Sequence, residues 1–331
     1  MSRNHSLGAT VLLSLGLLVG GGYLLDQSVS AQEQSAMAGD YAETGAKACL
    51  KCHDEPPVNH ILKRPHGQRG DSRTPFAAQD CETCHGPSVE HREAPKDMPP
   101  GQERPEVAVQ FGRYSDTPVI EQNEVCLGCH QSGLRINWEG SPHDFADVPC
   151  ASCHNVHALQ DPVQQKGGMR GLVGVEKSQQ DVCFGCHAEI RAQTQRFSHH
   201  PIREGKINCT DCHNPHGSFG PAQLKKATVN EVCYTCHTEK RGPFLWEHPP
   251  VVEDCRNCHN PHGATQPRML KVRTPWLCQT CHLAAFHPSS LYDGNDVPPL
   301  GFDDHVVAKG CLNCHAQIHG SNHPSGARFR R

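Results

Sequence analysis

Residues 209–217 read Cys-Thr-Asp-Cys-His-Asn-Pro-His-Gly, and this stretch decides the architecture. It joins a C-x-x-C-H pentad (Cys209, Cys212, His213) to a second histidine, His216, three residues further on. C-x-x-C-H is the attachment signature of c-type haem: the two thiols become thioethers, and the next histidine supplies an axial imidazole. The pentad occurs ten times and absorbs all 20 cysteines. Before residue 209 it is CLKCH (Cys49, Cys52, His53), CETCH (Cys81, Cys84, His85), CLGCH (Cys126, Cys129, His130), CASCH (Cys150, Cys153, His154) and CFGCH (Cys183, Cys186, His187). After it come CYTCH (Cys233, Cys236, His237), CRNCH (Cys255, Cys258, His259), CQTCH (Cys278, Cys281, His282) and CLNCH (Cys311, Cys314, His315).

Zinc ribbons and disulfide frameworks also pair cysteines, but neither requires a histidine after the second one. With 25 histidines in 331 residues, ten out of ten by chance has odds of roughly one in 10¹¹. The expected cofactors are therefore ten covalently bound c-type haems. Composition agrees. Only 36% of residues are hydrophobic and 5% aromatic, against 30 Gly and 26 Pro. A polar chain of this kind cannot build an ordinary core. The predicted fold is a multihaem cytochrome c: extended, mostly short α-helices and loops wrapped around a chain of ten haems, with little or no β-sheet. A formal net charge of −4 argues against a nucleic-acid partner.

Residues 1–31 read as a signal peptide, with Arg3, an apolar run from Leu7 to Leu25 and a small-x-small site at Val29-Ser30-Ala31. An uncleaved anchor is the alternative. In either case the body lies outside the cytoplasm, where covalent haem attachment takes place.

The remaining histidines repeat with the pentads. His66, His143 and His200 each lie 17 residues after the first Cys of an odd-numbered pentad, and His248 lies 15 after. Even-numbered pentads are trailed by a histidine: His91 six beyond the pentad His, His157, His216 and His262 three beyond, His319 four beyond. The unit is pentad, lone His, pentad, trailing His. It divides the chain into di-haem modules at 32–118, 119–172, 173–226, 227–270 and 271–331. Two spare imidazoles per module match bis-histidine ligation. In the last module His287 and His319 are the candidates, with His305 and His323 as alternates. His60 and His199 read as surface or supporting residues. Spacing does not assign distal histidines to irons.

Two imidazoles fill both axial positions and leave no open iron, so the chain reads as an electron-transfer protein with no catalytic residues. Trp138, Trp246 and Trp276 are expected on haem faces. The basic tail Arg328, Phe329, Arg330, Arg331 reads as a solvated end, with partner docking as the alternative. The Pro-rich stretch Ala94 to Pro118 reads as a connection without site chemistry.

Longer strings carry a family resemblance from about Ala46 to Gly326. They are CHGP (84–87), DVPCASCHNVH (147–157), CTDCHNPHGS (209–218), VNEVCYTCHTEKRGPFLWEHPP (229–250) and CLNCHAQIHGSNHPSG (311–326). They resemble the MtrA/DmsE-type decahaem cytochromes of outer-membrane porin–cytochrome conduits. The resemblance implies a periplasm-facing wire inside an outer-membrane β-barrel porin. It is fed by inner-membrane or periplasmic electron carriers and often meets an extracellular multihaem cytochrome. It also implies distal ligands at His66, His91, His143, His157, His200, His216, His248, His262 and His287. The conduit would serve extracellular metal reduction or Fe(II) oxidation. A soluble periplasmic shuttle to a terminal reductase is the competing function, and a catalytic multihaem reductase a third.

Overall fold

Each pentad folds as one helical turn. In all ten, the histidine N–H donates to the carbonyl of the first cysteine four residues back, at 2.9–3.1 Å. That turn sets Cys i, Cys i+3 and His i+4 on one face, as attachment to a planar macrocycle requires. The elements carrying the pentads are short. Odd-numbered pentads lie at the ends of helices such as Ala46–Cys49, Val119–Leu127, Gln179–Phe184, Val229–Cys233 and Trp276–Gln279. Even-numbered pentads open four-residue helices or 3₁₀ turns, among them Cys150–Ser152, Cys209–Cys212 and Cys255–Asn257. The nine residues of Val119–Leu127 are the longest run of helix among the described residues. Pro and Gly between elements prevent extension.

The computed structural model describes residues 37, 39–158, 179–282, 310–313, 315–324 and 326–329, all within one unit, Met37–Arg331. The signal segment 1–31, His287 and His305 lie outside the described residues. Among those described there is no strand, only four isolated bridges. The described residues thus form short helices and loops without a sheet, as the sequence predicts.

Polar clamps do much of the work that a core would do elsewhere. Val229–Cys233 begins with a capping box in which Thr228 and Glu231 exchange side chain-to-backbone bonds. On the same helix the buried Asn230 donates to the carbonyls of Val251 (2.8 Å) and Val252 (2.9 Å). Its carbonyl accepts from Cys255 N–H at 2.7 Å. Asn123 repeats this in the second module, accepting from Cys150 N–H and donating to Val148 O. Gln180, at the same offset before Cys183, reaches Ile202 O. In the first module a carboxylate replaces the amide: Asp80 accepts from Ala46 N–H and a two-pronged Arg69. The Asn230, Asn123 and Asp80 clamps tie an odd pentad's helix to the even pentad of the same module.

Apolar clusters are small, Ala46–Ile61–Phe76 in one place and Leu224–Val229–Val232 in another. Meanwhile Phe145, Phe197 and Phe219 are exposed, the last by 95%. In a chain this poor in aromatics, large rings left outside the protein's own packing are available to cover a planar apolar group.

Candidate functional site

Nine pentad imidazoles each face a second imidazole at nearly constant distance. Ring centroids are 6.1 Å apart for His53–His91, 6.4 Å for His85–His157, 5.9 Å for His66–His130 and 5.9 Å for His154–His216. They are 6.1 Å for His143–His187, 6.1 Å for His213–His262 and 6.3 Å for His200–His237. The last two are His248–His282 at 6.0 Å and His259–His319 at 6.2 Å. A metal held between two ring nitrogens by bonds of about 2.0 Å separates the ring centres by about 6.3 Å. Direct ring stacking would bring them closer. The spacing fits one iron between each pair.

The pairing follows a rule. Each lone histidine reaches forward to the odd pentad of the next module: His66 to His130, His143 to His187, His200 to His237, His248 to His282. Each trailing histidine reaches back to the even pentad of the previous module: His157 to His85, His216 to His154, His262 to His213, His319 to His259. His91, which has no earlier module to serve, turns to His53 within its own.

Backbone carbonyls orient the rings. His143, His200 and His248 donate from Nδ1 to the carbonyls of Pro215 (2.7 Å), Pro261 (2.7 Å) and Ile318 (3.0 Å). Each acceptor immediately precedes a trailing histidine, so the forward and backward ligands of adjoining modules are held together. Pentad rings are fixed likewise: His213 to Ala222 O and His259 to Arg268 O, both at 2.8 Å, and His85 to Val109 O at 3.0 Å. A carbonyl can only accept, so Nδ1 carries the proton and Nε2 keeps its lone pair for a metal. Burial, the main cause, also lowers the pKa of His66, His85, His130, His248, His262 and His319. His216 is pushed down to about 4 by burial and by neighbouring His154 and Arg135. These rings are neutral near pH 7, the ligating form.

The thiols order the sites along the chain. The first cysteines of the two pentads in a module touch: Cys49–Cys81, Cys126–Cys150, Cys183–Cys209, Cys233–Cys255 and Cys278–Cys311. Between modules the second cysteines are electrostatic neighbours: Cys84–Cys129, Cys153–Cys186, Cys212–Cys236 and Cys258–Cys281. Every pentad therefore adjoins the next, in sequence order.

One expectation needs correction. The Pro-rich connection has site chemistry, because Pro105 O accepts from His91 Nδ1 and Val109 O from His85 Nδ1. The basic tail is exposed at Arg328, in keeping with a solvated end, while its backbone and the Phe329 ring are engaged. Arg328 O accepts from His315 Nδ1, and the Phe329 ring lies 5.3 Å from that of His248. Of the other histidines, His199 spends both nitrogens, on Arg196 O and Glu204. His60 is half-buried with Nδ1 unpartnered. Trp138 is buried, Trp246 donates to His323 O, and Trp276 is half exposed. Sequence reading misses the buried amides Asn123 and Asn230, although the repeated N-E-V-C at 123–126 and 230–233 marks them. The acceptor carbonyls carry no side-chain signal.

Comparison with known proteins bears on the repeated pentads and the family. The doubled CXXCH motif family matches residues 199–242 and 248–285. The family described as cytochrome c-type protein NrfB-like matches residues 81–171. The multiheme cytochrome MtrA of Shewanella baltica is 45% identical over 296 residues, covering 88% of this chain and 83% of its own. The cytochrome c-type protein NrfB of Escherichia coli O6:H1 is 30% identical over 151 residues, 44% of this chain and 66% of that one. Its Haemophilus influenzae counterpart is 32% identical over 163 residues, 43% and 64% of the two chains. The paired motifs bind covalent c-type haem, and the full-length likeness places the chain in the MtrA family of multihaem electron-transfer cytochromes.

Proposed function

We propose that each of the ten pentads holds one haem with two axial histidines, and that the ten form a single wire across the outer membrane inside a β-barrel porin. The observation that carries the reading is the series of imidazole pairs spaced for one iron each, along a thiol ladder that follows the sequence. Bound there, haem supplies a one-electron iron couple. The pentad cysteines and the paired histidines would hold it with no open position on the iron, and adjoining cysteines would hold neighbours close. As the counterpart of His91, which serves His53 within the first module, His287 is assigned to His315 within the last. The di-haem modules are 32–118, 119–172, 173–226, 227–270 and 271–331, interlocked by exchanged ligands.

The conduit role rests on the MtrA relationship and on hydropathy. Among the described residues no helix is long and apolar enough to cross a membrane, and mean hydropathy is −0.59. A route through roughly 30 Å of hydrocarbon then needs a protein sleeve. Periplasmic or inner-membrane carriers load one end, and an extracellular multihaem cytochrome or mineral meets the other. Proteoliposomes containing the cytochrome and its porin are expected to pass electrons from an internal reduced dye to external iron oxide. Failure with porin inserted and haems intact would sink the conduit reading. The NrfB likeness over residues 81–171 favours, as a second reading, a soluble periplasmic carrier. That carrier would discharge to a soluble reductase at full rate without porin.

A further inference from the structure

Where the trailing histidine of the third module meets the second, three buried nitrogens lie close together without any hydrogen-bond partner: Arg135 Nε, Trp138 Nε1 and His216 Nδ1. Trp138 is 7% exposed, and its ring centre lies 6.3 Å from that of His216. Arg135 and Trp138 flank one tight turn, with Trp138 N–H donating to Arg135 O at 2.9 Å. The turn is pinned to the His216 segment by Asn214, whose amide donates to Leu134 O at 2.8 Å. Close packing continues at Gly217, where a Cβ would fall 1.9 Å from Asn137 O. Arg135 also acts electrostatically on His130, the pentad imidazole of the neighbouring site.

A buried donor without an acceptor costs about 1–3 kcal/mol, and more for a charged group. Three in one patch, one a guanidinium, require an acceptor, and the patch calls for an anion with more than one oxygen. His143, His200 and His248 each place Nδ1 on a backbone carbonyl, whereas Nδ1 of His216 is buried with none. Every haem carries two carboxylates on flexible propionate arms, and both pentads of this module border the patch.

We propose that Arg135 and Trp138 form a carboxylate-binding pocket for a haem propionate of the 119–172 module, with His216 as its third donor. The proposal rests on the haem reading above. A guanidinium so placed stabilises the reduced, less positive iron nearby and raises the potential of that site. Arg135 and Trp138 are positioning residues and leave both axial ligands untouched.

The test uses the full holo-protein with R135Q, R135K and W138F. Redox-difference infrared spectra are expected to show one propionate carboxylate band displaced in R135Q and W138F. In EPR-monitored titration one low-spin species is expected to move to lower potential in R135Q and to stay near its wild-type position in R135K. A shift in potential that tracks added acetate or phosphate would identify a free anion as the occupant and overturn the assignment. So would unchanged carboxylate bands in a fully haem-loaded W138F, a variant without charge change that guards against misfolding of R135Q. The haem reading is checked separately by wild-type haem content and low-spin signals. If those hold while the variants do nothing, only the pocket falls.

Discussion

His216 stands three residues past its own pentad in sequence, yet its ring lies against His154 of the preceding module, 14° from parallel. Replacing it tests the crossed pairing directly. H216G is expected to turn one iron high-spin, giving a new low-field EPR signal. Deleting the Cys150–Cys153 attachment (C150A/C153A) should abolish that signal, and deleting Cys209–Cys212 should not. Ring planes provide a second check. His66 and His130 are 85° apart, whereas His53–His91 and His259–His319 are within 17°. EPR of the oxidised protein should therefore show both a strongly anisotropic low-spin species and ordinary rhombic ones. H66M should remove the former selectively. The attachment residues are legible in sequence because the chemistry of a pentad is local to five residues. The partner of each imidazole is not, because it is set by how one turn packs on another far away in the chain. Carbonyls such as Pro105 O and Val109 O escape notice altogether, since any residue type can supply one.

At the scale of elements, two stretches after even pentads adopt the same strained return. Residues 209–226 and 255–272 each close an isolated bridge, His213 to Leu224 and His259 to Leu270. Each holds two consecutive non-glycine residues at positive φ: Ala222 (50°) and Gln223 (57°), Arg268 (59°) and Met269 (55°). Left-handed backbone costs such residues about 1 kcal/mol each. Here it aims the carbonyls of Ala222 and Arg268 at the pentad imidazoles. A222G should keep the bond and slow thermal loss of the low-spin spectrum slightly, a gain of at most about 1 kcal/mol. Asn230 behaves oppositely. N230A strands two carbonyls and the Cys255 N–H, and should destabilise that module by about 2–4 kcal/mol. Amide hydrogen exchange is expected to rise around residues 251–255 and to stay unchanged in the first module. Short helices are foreseeable from the density of Gly and Pro. The clamps are not, because an isolated Asn on a helix reads as polar surface until the even pentad is seen lying against it.

For the whole molecule, the exchange of ligands means that damage at one end is felt inside. Truncation after residue 309 removes the pentad at Cys311, and it also removes His319, the ring facing His259. Haem content should fall by one, and a second iron, at the Cys255 pentad, should become high-spin. If each module supplied its own ligands, only the terminal haem would be affected. The interior pairing has a further consequence, for length. Every interior module gives one imidazole forward and one back and receives the same, so a copy inserted between two neighbours would find its partners already provided. Only the two ends need exceptions, and His91 is one of them. A chain built on this rule can be lengthened two irons at a time, like links added to the middle of a bracelet. The length of the ladder can then be set by counting units, with no ligand redesigned.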